Sequence, residues 1–123
     1  MRKTQFMTTG RSAIMYKRGD IVLIPFPFAD LTGTKIRPAV VVSTAAYEEE
    51  NGNITVAMVT SVPHTTSSDY EVKDWQVANL LAPSWVRVKL ATIVTKLVRY
   101  KPGNLTDADL SEVDKRLRVA LGL

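Results

Sequence analysis

The proline in Lys35-Ile36-Arg37-Pro38 constrains this chain more than any other residue. Proline disfavours helix for the residue before it, so Arg37 is extended or in a turn. Behind it comes Ala39-Val40-Val41-Val42, an apolar and largely β-branched run. Such a run reads as a buried strand. The segment therefore predicts an arginine held at the mouth of a rigid element. An arginine in that position can grip a phosphate with two parallel hydrogen bonds.

The rest of the chain repeats this theme of short strands broken by turn residues. Strands are predicted at 21–28, 38–43, 54–61, 70–73 and 84–91, with one more short strand within 92–100. Pro25 and Pro27 bend the second half of the first strand away from a central ladder. Residues 29–36 read as an exposed loop. A short helix is predicted at 45–50, closed by the turn Asn51-Gly52-Asn53. Residues 62–69 form a polar loop, and 74–83 a connection with a helical turn at 75–80. The clearest helix starts at Thr106, a good N-cap, with Asp109 three residues on near the positive end of the helix dipole. Leu110, Val113, Leu117 and Leu121 form its apolar stripe, and Gly122 stops it. The fold class is mainly β with helices (α+β): a small β-barrel or curled sheet with one amphipathic C-terminal helix packed on it.

Composition narrows the function. The 123 residues fit one domain, and 46% hydrophobic residues fit a packed one. Residues 1–16 read as a flexible N-terminal extension, and 17–123 as the folded domain. With no cysteine, disulfides and thiolate metal sites are out, and a reducing cytoplasm is compatible. A lone histidine leaves no histidine-based zinc site, so neither metal nor cofactor is expected. No apolar run approaches the roughly 20 residues of a membrane span. The first residues lack the apolar core of a secretory signal, so the expected location is cytoplasmic.

The net charge of +4 misleads as a global number. Five cations and no acid precede residue 19, so the remainder is slightly acidic overall. Local distribution says more. From Trp75 to Thr106 the chain carries Arg87, Lys89, Lys96, Arg99 and Lys101 and no carboxylate. A polarised surface suits an anionic ligand, although such runs also occur as plain solvated faces.

Three further places could carry chemistry. In Trp85-Val86-Arg87-Val88-Lys89-Leu90, alternation puts Arg87 and Lys89 on one face and Val86, Val88 and Leu90 on the other. Two cations so spaced can track a phosphate backbone or simply face water. Thr60 and Ser61 end the third strand, where hydroxyls either donate to phosphate oxygens or cap a turn. His64 has the intrinsic pKa of a general base, or is an incidental loop residue. No P-loop, dinucleotide fingerprint or nucleophile elbow is present.

The order Arg18-Gly19-Asp20-Ile21-Val22, then Arg37-Pro38 through Ser43, then Val59-Thr60-Ser61, then Ser84-Trp85-Val86-Arg87-Val88 resembles the PemK/MazF family of toxins from bacterial toxin–antitoxin modules. The resemblance spans nearly all of the chain after the extension. It implies a compact barrel with an SH3-like core, forming a homodimer. It also implies a metal-independent endoribonuclease that cuts single-stranded RNA at short motifs. In that reaction the ribose 2′-hydroxyl attacks and a cyclic phosphate is left. The implied partners are single-stranded RNA and a cognate antitoxin protein that covers the RNA site.

Carried onto this sequence, the resemblance makes Arg37, Thr60 and Arg87 the catalytic set. Lys35, Ser61 and Lys89 become RNA contacts. One departure matters: some members carry an aspartate two residues beyond the later arginine, as the base, and here that position is Lys89. A lysine protonated at neutral pH cannot accept the 2′-hydroxyl proton. His64 and Asp69, on the loop after Thr60, are candidate substitutes, neither with a motif match. Two rival readings share the barrel. One is a binding module of the gyrase-poisoning kind. The other is an inactive relative acting with its antitoxin as a DNA-binding repressor component.

Overall fold

Among the described residues, six strands and two α-helices make up the fold. They are β1 (Asp20–Pro25), β2 (Ile36–Val41), α1 (Ala45–Asn51), β3 (Asn53–Thr60), β4 (Tyr70–Glu71), β5 (Trp85–Val94), β6 (Tyr100–Asn104) and α2 (Asp107–Leu121). The computed structural model describes residues 15–25 and 35–123. The expected N-terminal extension up to residue 14, the bend of the first strand at 26–28 and most of the exposed loop at 29–36 lie outside the described residues.

The strands form one antiparallel sheet in the order β4-β5-β3-β2-β1-β6, curled into a half-barrel. The fold is thus mainly β with helices, as the short apolar runs require. Alternation along β1, β2 and β3 splits the core in two. Ile21, Val40, Ala57 and Val59 face one way, and there Tyr70, Leu105 and Val113 complete a cluster. Val22, Ile24, Ala39, Val41, Ile54 and Val56 face the other way with Ile93. Central strands buried on both faces need continuous apolar sequence, which is why Ala39-Val40-Val41 does not alternate.

Capping matches the sequence. Thr44 Oγ1 accepts from Tyr47 N–H to start α1, and Gly52, at φ +72°, ends it and turns the chain into β3. Side chains rarely adopt that φ, so glycine suits the turn. Thr106 Oγ1 accepts from Asp109 N–H at the start of α2. Leu110, Val113 and Leu117 pack on the first cluster. Leu121, expected on the same stripe, is instead exposed (52%), as is every residue from Arg118 onward.

One expectation about strands needs correction. The stretch 92–100 holds no separate strand. Residues 92–94 finish the ten-residue β5, and Thr95–Leu97 is a single 3₁₀ turn. The strand that does follow, β6, contains Pro102 and Gly103, residues that speak against a strand in sequence. Among the described residues it lies at the sheet edge, beside β1, where such residues are tolerated. Gly103 also lets the 74–80 connection sit directly on β6. A Cβ there would lie 2.5 Å from the Ala78 carbonyl oxygen, and Asn79 Nδ2 donates to the Pro102 carbonyl at 2.9 Å. Gly103→Ala is expected to lower the unfolding free energy by about 1–3 kcal/mol through overpacking. Urea denaturation measures this, and an unchanged midpoint would contradict the close approach.

Candidate functional site

Strand register brings the candidate residues onto one face. Ala39 pairs with Met58 between β2 and β3, and alternation puts Arg37 on the face of Ala39 and Thr60 on the face of Met58. Met58 pairs with Arg87, and Thr60 with Trp85, between β3 and β5. Residues directly opposite in antiparallel strands project from the same face. Arg37, Thr60 and Arg87 therefore lie on the face that also carries Met58 and the second apolar cluster.

Each side chain has a definite environment. Arg37 pairs with Ile24 of β1 and is half-buried. Its Nε is buried without a hydrogen-bond partner among the described residues. Thr60 Oγ1 accepts from Val62 N–H at 3.1 Å, so it caps the turn. A hydroxyl that accepts still has its own proton to donate, so capping and phosphate binding are compatible here. An apolar cavity of about 510 Å³ between Pro38, Val59, Leu80 and Tyr100 also borders Arg37 and Thr60.

Arg87 is tied down. Its Nε donates to Asp69 Oδ1 at 2.9 Å, across the register that pairs Tyr70 with Val86. Asp69 Oδ2 accepts from Thr66 N at 2.9 Å and from Thr66 Oγ1 at 2.7 Å. The carboxylate is only 2% exposed. Burial alone would raise its pKa, but the hydrogen bonds from Thr66 and Arg87 outweigh burial and hold it below the ordinary carboxylate value.

The remaining candidates are more dispersed. Lys35 is exposed immediately before β2, and Ser61 is exposed immediately after β3, so both flank the Arg37–Thr60 pair. Lys89 departs from the expected alternation. The β3–β5 register jumps between Ala57↔Leu90 and Met58↔Arg87, leaving Val88 and Lys89 in a bulge. Such a bulge breaks period two and re-aims the side chains in it. Lys89 is exposed there rather than in ladder register with Arg87. His64 lies in the loop after β3 and is hydrogen-bonded to none of the three central residues. Among the described residues no group of three or more histidines or carboxylates is placed to hold a metal ion.

Partly buried basic and hydroxyl side chains at the end of a curled antiparallel half-barrel, with a helix packed on it, form a face whose chemistry suits an anionic ligand. Residues 17–121 match the model of the PemK-like, MazF-like toxins of type II toxin–antitoxin systems, and the chain belongs to that family. No curated protein matches it. Among solved structures it is similar to a mycobacterial endoribonuclease in complex with its cognate antitoxin. That likeness has TM-score 0.75 and 20% identity, over 88% of this chain and 96% of that one. It is also similar to MazF from Deinococcus radiodurans, at TM-score 0.72 and 24% identity, over 89% and 99% of the two chains. Mycobacterium tuberculosis toxin MazF-mt6 gives TM-score 0.70 and 20% identity, over 85% and 97%.

Proposed function

We propose that the protein is a metal-independent, sequence-selective endoribonuclease toxin that cleaves single-stranded RNA. The observation that carries this reading is the placement of Arg37, Thr60 and Arg87 on one sheet face. In phosphodiester transesterification the 2′-oxygen bonds to phosphorus, the bond from phosphorus to the 5′-oxygen breaks, and charge builds on the non-bridging oxygens. Preorganised donors aimed at those oxygens lower the barrier. Arg37 stabilises the charge, Thr60 orients the phosphate through its free hydroxyl proton, and Arg87 supplies a second cation. The 2′-hydroxyl proton passes to water, and the leaving 5′-oxygen takes one up from water. Lys89 cannot take the base role, and the buried carboxylate of Asp69 is already occupied.

The family, and the antitoxin-bound endoribonuclease among its structural neighbours, support action as a homodimer restrained by a cognate antitoxin in the cytoplasm. No helix among the described residues is long and apolar enough to cross a membrane. Incubation of varied single-stranded RNAs with purified protein in EDTA tests the reading. The expected products carry 2′,3′-cyclic phosphate and 5′-hydroxyl ends, and intact RNA throughout would refute it.

Lys35 and Lys89 are RNA-backbone contacts in this proposal. Lys35→Ala and Lys89→Ala should each weaken RNA binding on all sequences and reduce the salt slope of log K by about 1. Neither should change kcat. Titration of a non-cleavable 2′-deoxy substrate over a range of salt measures both effects.

A further inference from the structure

Arg87 is the one member of the cluster whose guanidinium is gripped from behind. Only its Nε is engaged, by Asp69 Oδ1 at 2.9 Å. Among the described residues nothing accepts from its two terminal amino groups. A guanidinium is a rigid planar fork, so holding Nε fixes the direction in which both terminal groups point.

We propose that Asp69 is the positioning residue for Arg87, holding Nε so that the terminal amino groups stand ready as a fork for the scissile phosphate beside Arg37 and Thr60. This rests on the endoribonuclease reading above. The carboxylate suits that role better than proton transfer. Its side chain is 2% exposed, so RNA cannot reach it. Thr66 occupies Oδ2 with two hydrogen bonds, which leaves Oδ1 for Arg87. Those Thr66 bonds also draw charge away from the oxygen facing Arg87, so the guanidinium keeps its pull on phosphate. Asp69 is itself fixed in place. The next residue, Tyr70, pairs with Val86 in the sheet and donates its hydroxyl proton to Asp109 of α2. A side chain ordered before RNA arrives loses no rotamer freedom on binding.

The test compares wild type, Asp69→Asn and Asp69→Ala in RNA cleavage, alongside NMR of the Arg87 Nε–H group, assigned by its loss in Arg87→Lys. A positioning role predicts slow exchange of the Arg87 Nε proton in the wild type and fast exchange in Asp69→Ala. It predicts kcat down about tenfold in Asp69→Ala. Asp69→Asn should fall closer to wild type, because its amide oxygen still accepts from Nε. Asparagine as inactive as alanine, with the acidic limb of the pH–rate profile gone, would make Asp69 the base and overturn the proposal. Wild-type kinetics in Asp69→Ala, or a fast-exchanging Nε proton in wild-type protein that cuts RNA, would overturn it too. RNA left uncut by the wild type would instead refute the nuclease reading, whatever the NMR signal does.

Discussion

Arg37→Ala is expected to lower kcat for RNA cleavage about 10²–10³-fold, the usual loss when a preorganised donor to developing charge is removed. The unfolding free energy should stay within about 1 kcal/mol of wild type or rise, because the buried Arg37 Nε has no partner among the described residues. An unmet buried donor costs about 1–3 kcal/mol, and alanine removes that cost. Against it stands lost packing of the half-buried stem beside Ile24. The two effects oppose each other, so function and stability should separate. Arg37→Lys should not restore the rate, since an ammonium cannot match the planar fork of a guanidinium. If Arg37 acts only in the transition state, kcat and kcat/KM should fall together. Steady-state kinetics beside urea denaturation checks all of this. Wild-type turnover in Arg37→Ala would remove the residue from the chemistry, and a collapse in stability would make its role structural.

Much of the fold was legible because local signals agree with one another. Ala39-Val40-Val41 gives β2 its double-sided burial, although the strand starts at Ile36, two residues before the Pro38 at which it was expected. Thr106 and Gly122 bracket α2 where the capping residues placed its ends. The misses have tertiary causes. No strand was expected at 100–104, where Pro102 and Gly103 lie; among the described residues β6 is an edge strand, which needs no donor on its outer side, and Gly103 admits the close approach of Ala78. Leu121 keeps the helical period of the α2 stripe yet is exposed, because periodicity shows which residues share a face and not how far along the helix that face is covered.

At the site, the positions of Arg37 and Thr60 followed from strand ends, which one sequence shows well. The bulge at Val88-Lys89 did not, since those residues alternate like any amphipathic strand. Only the partner strand reveals that two of them lack opposite numbers. The environment of Asp69 was hidden for a similar reason. Its partner lies 18 residues away in sequence, and only the β4–β5 register brings the two together. The one local signal was Thr66 three residues before Asp69, a spacing that lets a side-chain carboxylate bond back to the turn.

Asp109→Ala should be among the most destabilising substitutions in the chain, lowering the unfolding free energy by on the order of 3 kcal/mol. Asp109 is 1% exposed, and its carboxylate accepts from the Tyr70 hydroxyl, from Lys73 N at 3.2 Å and from Asp74 N at 2.9 Å. Alanine strands all three donors and removes a negative charge from the first turn of α2. Burial, then the hydrogen bond to Asp109, pushes the Tyr70 pKa up. The folded value lies above the unfolded one of about 10, so the neutral phenol's contribution is complete below pH 10 and drains away as pH rises beyond it. Wild type should therefore lose stability above pH 10, and Asp109→Ala should show a weaker loss there, burial alone still raising the Tyr70 pKa. Urea titrations at pH 7 and pH 10.5 measure both effects, with amide exchange at Lys73 and Asp74 as the local readout. The consequence reaches the site as well. Loosening Tyr70 loosens β4, and with it the neighbouring Asp69 that holds Arg87. An Asp109→Ala protein that stays folded should therefore cleave RNA more slowly than its loss of stability alone explains. Wild-type turnover in the folded variant would break that link between the C-terminal helix and the RNA face.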